Sequence, residues 1–229
     1  MKTFDKIKHL IFCWILIMLL SGCQKKIVSD FGFDGDFSGK VVDQSGKVVP
    51  GDITSANMTV KALGNGDIVT IDMRVKGDGT FQNTKLFPKS YRIWISGPLT
   101  MTEDTVRVDL SSDKVIVKNF VVTPFITVDQ PAVVGSPTAT TIDVSYIMTA
   151  NSGKVVSKRE LYCSTIPFPN ASTGSGPSYT TNKVTLSTNS GNASITGLVT
   201  KTKYYIRIGA QATGATGFNY SGQIEVTTL

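Results

Sequence analysis

From residue 37 onward, apolar and polar positions alternate in short runs, and no stretch keeps the 3.6-residue period of an amphipathic helix. The runs are rich in β-branched residues, recur about every ten residues and are bounded by Gly, Pro, Asn, Asp and Ser, the pattern of antiparallel sandwiches. In the first half this spacing predicts strands over 37–42, 58–63, 69–75, 80–81, 91–95, 105–109 and 115–123. Turns fall at Asp43-Gln44-Ser45-Gly46 and Lys76-Gly77-Asp78-Gly79, where glycine supplies positive φ. The second half predicts strands over 141–146, 160–164, 183–186, 193–195, 204–210 and 223–227, with a loop rich in Pro, Ser, Gly and Asn over 166–178. The expected fold is all-β, with two consecutive antiparallel, immunoglobulin-like β-sandwiches over 34–123 and 124–229.

The pattern before residue 34 is of another kind. Lys2, Lys6 and Lys8 precede a wholly apolar run from Leu10 to Leu20. Eleven helical residues rise only about 16 Å, roughly half of a hydrocarbon core, so the run reads as the apolar region of a signal peptide. It ends Leu20-Ser21-Gly22-Cys23, which looks like the bacterial lipobox, in which the cysteine is acylated and becomes the first mature residue. Residues 1–22 are thus expected to be a lipoprotein signal, Cys23 the lipidation site and 23–33 a tether. Multiple acyl chains give stable anchoring without a spanning helix.

Composition narrows the chemistry. The 229-residue chain carries a formal net charge of +6. Removing the leader takes away Lys2, Lys6, Lys8 and Asp5 and leaves +4. The basic residues are scattered along the sequence, so no nucleic-acid partner is expected. The lone histidine, His9, lies in the leader, which removes imidazole-based catalysis from the mature chain. Cys163 sits in the strand-like Leu161-Tyr162-Cys163 and reads as a core thiol. Three mature glutamates and thirteen aspartates remain, the latter mostly in turns, where local hydrogen bonding favours Asp. Asp34-Gly35-Asp36, with Asp30 nearby, offers oxygen ligands but lacks the rest of a calcium loop. No enzyme, metal or cofactor is expected.

Aromatic residues carry the candidate binding chemistry, because ring faces stack on the apolar faces of sugars. If Tyr91, Ile93 and Ile95 face the core, Arg92 and Trp94 face outward together. By the same alternation Tyr204, Ile206 and Ile208 point inward, and Tyr205 and Arg207 outward. Phe218 and Tyr220 lie in a Gly-rich segment between the last two strands, and Phe168 and Tyr179 lie in or beside the long loop. The glycan-binding candidates are Trp94, Arg92, Tyr205, Phe218 and Tyr220, against the alternative that each packs within the protein.

Several motifs resemble known modules. Ser38-Gly39-Lys40-Val41-Val42-Asp43, Val49-Pro50-Gly51, Asp78-Gly79-Thr80-Phe81 and Leu86 with Pro88 and Tyr91 resemble the carboxypeptidase-regulatory, transthyretin-like module. Leu198, Thr202 and Tyr204, followed by Ile206, Ile208 and Ala210, are similar to the corner of a fibronectin type III domain. With the lipobox, Glu103-Asp104-Thr105-Val106 and Val121-Val122-Thr123-Pro124-Phe125-Ile126, the chain resembles a Bacteroidetes family of two-domain lipoproteins of unassigned function. Asp104-Thr105-Val106 also resembles the O-glycan acceptor sequence of exported Bacteroidetes proteins and equally fits the start of a strand.

The resemblance implies an outer-membrane lipoprotein, often encoded beside starch-utilisation-type glycan import systems. Its expected partners are the membrane through its lipid, a polysaccharide or oligosaccharide, and outer-membrane transporter components. The alternative is a structural or adhesive, fimbria-associated subunit of the cell surface.

Overall fold

The computed structural model describes residues 32–52, 57–171 and 182–229. The leader, Cys23, Asp30 and Tyr179 lie outside them. Among the described residues there are strands and turns but no helix, so the protein is all-β as the alternation predicts. Phe33–Leu229 forms one compact unit with two hydrophobic cores, one drawn from residues 37–122 and the other from 126–226.

The first core lies between two sheets. One contains β1 (Gly35–Val42), β4 (Thr80–Leu86), β6 (Leu99–Met101), β8 (Val115–Val117) and β9 (Phe120–Pro124). The other has the order β3 (Ile71–Arg74), β2 (Thr59–Gly64), β5 (Ser90–Ser96) and β7 (Val106–Asp109). Phe37, Phe81 and Phe120 pack at ring separations of 5.4, 6.3 and 5.7 Å, and Val60, Ala62 and Ile93 meet them from the facing sheet. Tilted and edge-on aromatic contacts of this kind add to the stabilisation from burial alone.

The run expected as one strand over 115–123 is divided. β8 and β9 both run parallel to β1, interrupted at Lys118 and Asn119. There the Lys118 carbonyl comes so close to Gly39 that a Cβ on that glycine would lie 1.9 Å from the oxygen. Asn119 Oδ1 accepts the Lys40 amide at 3.0 Å in place of a ladder bond. A local alternation rule cannot register that long-range approach.

The second core is enclosed by β10 (Ile126–Val128), β11 (Ala132–Val133), β12 (Ile142–Ala150) and β15 (Ser190–Ile195) on one side. On the other, β14 (Asn182–Thr185), β13 (Val156–Ser164) and β16 (Lys203–Ala212) lie in that order, with β17 (Asn219–Tyr220) and β18 (Ile224–Thr227) paired to β16. Strands β6, β10, β11 and β17 have two or three residues each, too few for an alternation signal. Tyr204 is buried at the start of β16, and its hydroxyl accepts the Val199 amide at 3.0 Å, tying the strand to the preceding turn.

Two consequences can be measured. Gly79 has φ +75°, and a Cβ there would lie 2.2 Å from Val48 Cγ1. Gly79→Ala is therefore expected to lower stability by about 1–3 kcal/mol in urea unfolding, with the steric contact adding to the backbone strain. Cys163 is fully buried, and that burial pushes its thiol up to about 12. Its thiolate is scarce below that pH, so in protein lacking residues 1–23, which keeps Cys163 as its one cysteine, a thiol reagent at about pH 8 should label the unfolded chain quickly and the native protein negligibly.

Candidate functional site

Strand β5 alternates as expected. Tyr91, Ile93 and Ile95 enter the first core, while Arg92 is exposed and Trp94 half-buried on the opposite face. The Arg92 guanidinium lies over the Trp94 ring at 5.8 Å. This is within the reach of a cation–π attraction, which orders the arginine and leaves part of the indole uncovered.

The sheet register brings further cations to that face. Lys61 of β2 is directly opposite Trp94, and Arg107 of β7 is directly opposite Arg92. Arg74, on β3, is exposed on the same side. Each cation comes from a different strand.

The nearby carboxylates are engaged. Lys61 Nζ holds Asp72 at 2.8 Å and lowers its carboxyl below the ordinary carboxylate range. Asp109 is likewise lowered, by hydrogen bonds from the Ser111 hydroxyl and amide. Beside Arg92 and Arg107 lies a shallow pocket of about 360 Å³, lined also by Leu63, Asn65, Asp67 and Ser90. The turn that forms its rim contains Gly66 at φ +84°, and Lys89 Nζ clamps Asp67 with both oxygens at 2.6–2.7 Å.

The other predicted aromatics do not join this face. Tyr205 is half-buried on β16, beneath Lys203 at 5.6 Å, and Lys203 is itself paired with Glu225 at 2.8 Å. Tyr220 is only 3% exposed and offers no ring face to a ligand, contrary to its reading as a loop residue. It pairs with β16 opposite Gly209, where a Cβ would lie 2.7 Å from Tyr162 and 3.0 Å from Tyr220. The missing side chain at Gly209 lets both tyrosines close over the strand. Phe218 stacks on Tyr220 at 6.0 Å, and its carbonyl accepts a hydrogen bond from Asn57 of the first half at 2.5 Å. Phe168 packs against Gly77 and so also lies at the contact between the halves.

Arg207 departs most from its sequence reading. It does point away from the second core, but onto the first half of the chain, and is completely buried. Its Nε donates to the Ser221 carbonyl at 2.9 Å and its Nη2 to the Gly51 carbonyl at 3.0 Å. The Tyr220 ring lies 4.2 Å away, and the Tyr220 hydroxyl donates to the buried Asp52 carboxylate at 3.2 Å. Burial lowers the guanidinium to about 10, so it remains charged at neutral pH. Alternation identifies the face on which Arg207 lies, but not what covers it.

Asp34, considered above as an oxygen ligand, is paired with Lys114. That hydrogen bond lowers its carboxyl. Among the described residues no group of three His, Cys, Asp or Glu side chains converges as a metal site would require.

With this geometry in place, the chain can be set against known proteins. Residues 35–123 match the N-terminal domain of DUF3823, a protein family of unknown function. The fold is shared with a DUF3823 family protein from Parabacteroides merdae (TM-score 0.67, 21% identity), over 84% of this chain and 98% of that one. A DUF3823 family protein from Bacteroides ovatus is similar at TM-score 0.67 and 18% identity, over 86% and 100% of the two chains. A Bacteroides uniformis protein, named for a supposed carbohydrate-binding role, matches at TM-score 0.63 and 21% identity over the same shares. No curated protein matches the chain.

The DUF3823-like first half is held to the second half by the Arg207 cluster. Replacing Arg207 with methionine removes a buried cation and the donors that the Gly51 and Ser221 carbonyls accept. Arg207→Met should cost about 2–5 kcal/mol in chemical denaturation, since each buried acceptor left without its donor costs about 1–3 kcal/mol. Tyr220→Phe, which removes only the hydroxyl, should cost about 1–3 kcal/mol.

Proposed function

We propose that this protein is a non-enzymatic, lipid-anchored, glycan-binding or scaffold component of a polysaccharide import system in the outer membrane. The observation that carries the reading is the placement of Trp94. It is partly uncovered on an outward sheet face, across from Lys61 on β2 and next along that face from Arg92. An open sheet face bearing one aromatic and several hydrogen-bond donors suits an extended sugar chain better than an enclosed substrate. The carbohydrate-binding role in the name of the B. uniformis protein supports the same reading. Acylation at Cys23 would hold the protein on the membrane, and its proposed site is the cell surface, where import components gather glycan.

A subunit that polymerises by strand exchange is less well supported. The last strand, β18, is paired with β16, and the Leu229 amide donates to the Thr138 carbonyl at 3.1 Å, so the C-terminal segment is built into its own fold.

The test is affinity gel electrophoresis of soluble protein lacking residues 1–23, which retains the compact unit Phe33–Leu229. Retardation by one class in a panel of plant, host and microbial polysaccharides is expected. Trp94→Ala should weaken binding at least about tenfold, as for an anchoring aromatic. Failure of every polymer to retard the protein would overturn the reading.

A further inference from the structure

From the charge on this face we infer that the glycan is anionic. Its carboxylate or sulfate sits between Arg92 and Arg107, and an adjoining sugar ring lies on Trp94. This inference rests on the glycan-binding reading above and adds the chemical class of the ligand. Directly opposed side chains on neighbouring strands have Cβ atoms about 4.5–5.5 Å apart, and like charges in such positions repel. Arg92 and Arg107 stand in that relation, both exposed, with no ion pair to either among the described residues. The cross-strand neighbour Lys61, by contrast, meets Asp72.

An anion between the two guanidiniums would relieve the repulsion and accept bidentate, charge-assisted hydrogen bonds from either side. The adjacent pocket, at about 360 Å³, is toward the small end of the range for small-molecule sites. Its one carboxylate, Asp67, is already neutralised by Lys89. Arg92 belongs to both halves of the proposed site, since it lines the pocket and also covers part of the Trp94 ring. A single sugar unit carrying an acidic group could therefore meet the cation and the aromatic together.

Trp94 is the only tryptophan left once residues 1–23 are removed, so its fluorescence reports on this face alone. The experiment titrates the soluble protein with polygalacturonate, a sulfated galactan without uronic acids, a neutral glucan, a neutral xylan and single-stranded DNA, following Trp94 emission. One of the two acidic glycans is expected to shift the emission saturably, and which one responds distinguishes carboxylate from sulfate. About 0.5 M NaCl should largely reverse the binding, because exposed charges are screened over a few ångströms at that strength. Arg92→Gln and Arg107→Gln, both exposed and expected to fold normally, should each weaken binding about tenfold.

Response to neutral polymers alone would overturn the anionic class and leave the glycan-binding reading standing. Response to none of the polymers would remove both. Equal response to single-stranded DNA would show a general polyanion surface and overturn the inference. So would undiminished binding by the Arg92→Gln, Arg107→Gln double variant.

Discussion

The guanidinium of Arg207 carries a full charge at a position from which solvent is excluded, and the relation between the two halves of the molecule is organised around it. A buried charge is tolerated only when its surroundings replace hydration. Here the replacement comes from both halves. The Gly51 carbonyl and, through the Tyr220 hydroxyl, the Asp52 carboxylate belong to the first. The Ser221 carbonyl and the Tyr220 ring belong to the second. Nη1 has no hydrogen-bond partner among the described residues, and the ring face supplies part of the compensation there. Separating the halves would expose that charge arrangement to unequal solvation.

The rest of the junction reinforces the same constraint. Only Phe125 separates β9 from β10, and its amide donates to the Pro98 carbonyl at 2.9 Å. Asn219 is buried and uses both ends of its amide: Oδ1 accepts from Ile126 and Nδ2 donates to Pro98, each at 3.0 Å. These bonds are polar, directional and mostly protected from water, which makes the junction specific as well as cohesive. Lys47 and Asp129 also pair at 2.9 Å, but both are about half exposed, and such a pair contributes little. The junction therefore derives its strength from Arg207, Asn219 and Tyr220.

The strands were legible because their cores impose a two-residue period. Phe37, Val41, Val60, Ile93 and Val108 lie where alternation places them, as do Ile142, Val144, Ile206 and Ile208. The outward pairing of Arg92 with Trp94 was legible for the same reason. Alternation assigns a residue to one face of its strand and says nothing of what lies beyond that face. For this reason it placed Arg207 correctly on the far side from the second core and could not anticipate its burial. Tyr220 was misread for a related reason: a Gly-rich segment suggests an open loop, whereas the space left by Gly209 draws the ring down onto β16. The convergence of Lys61, Arg74, Arg92 and Arg107 was equally hidden, since scattered positions in sequence become neighbours only through strand order.

The two unusual arginine arrangements differ in how the protein compensates them. Arg207 is costly to bury and is surrounded by carbonyls, a ring and a carboxylate that offset the cost. Arg92 and Arg107 lack a carboxylate of that kind. The other directly opposed pair of charges in that sheet, Lys61 and Asp72, joins opposite signs, as do the diagonal pairs Lys183 with Glu160 and Lys203 with Glu225 in the second half. Departures from such local rules tend to collect where a protein meets something else. A sheet that opposes its charges at Lys61 and Asp72 and repeats a sign at Arg92 and Arg107, beside its outward tryptophan, has left room there for an anion from outside the chain.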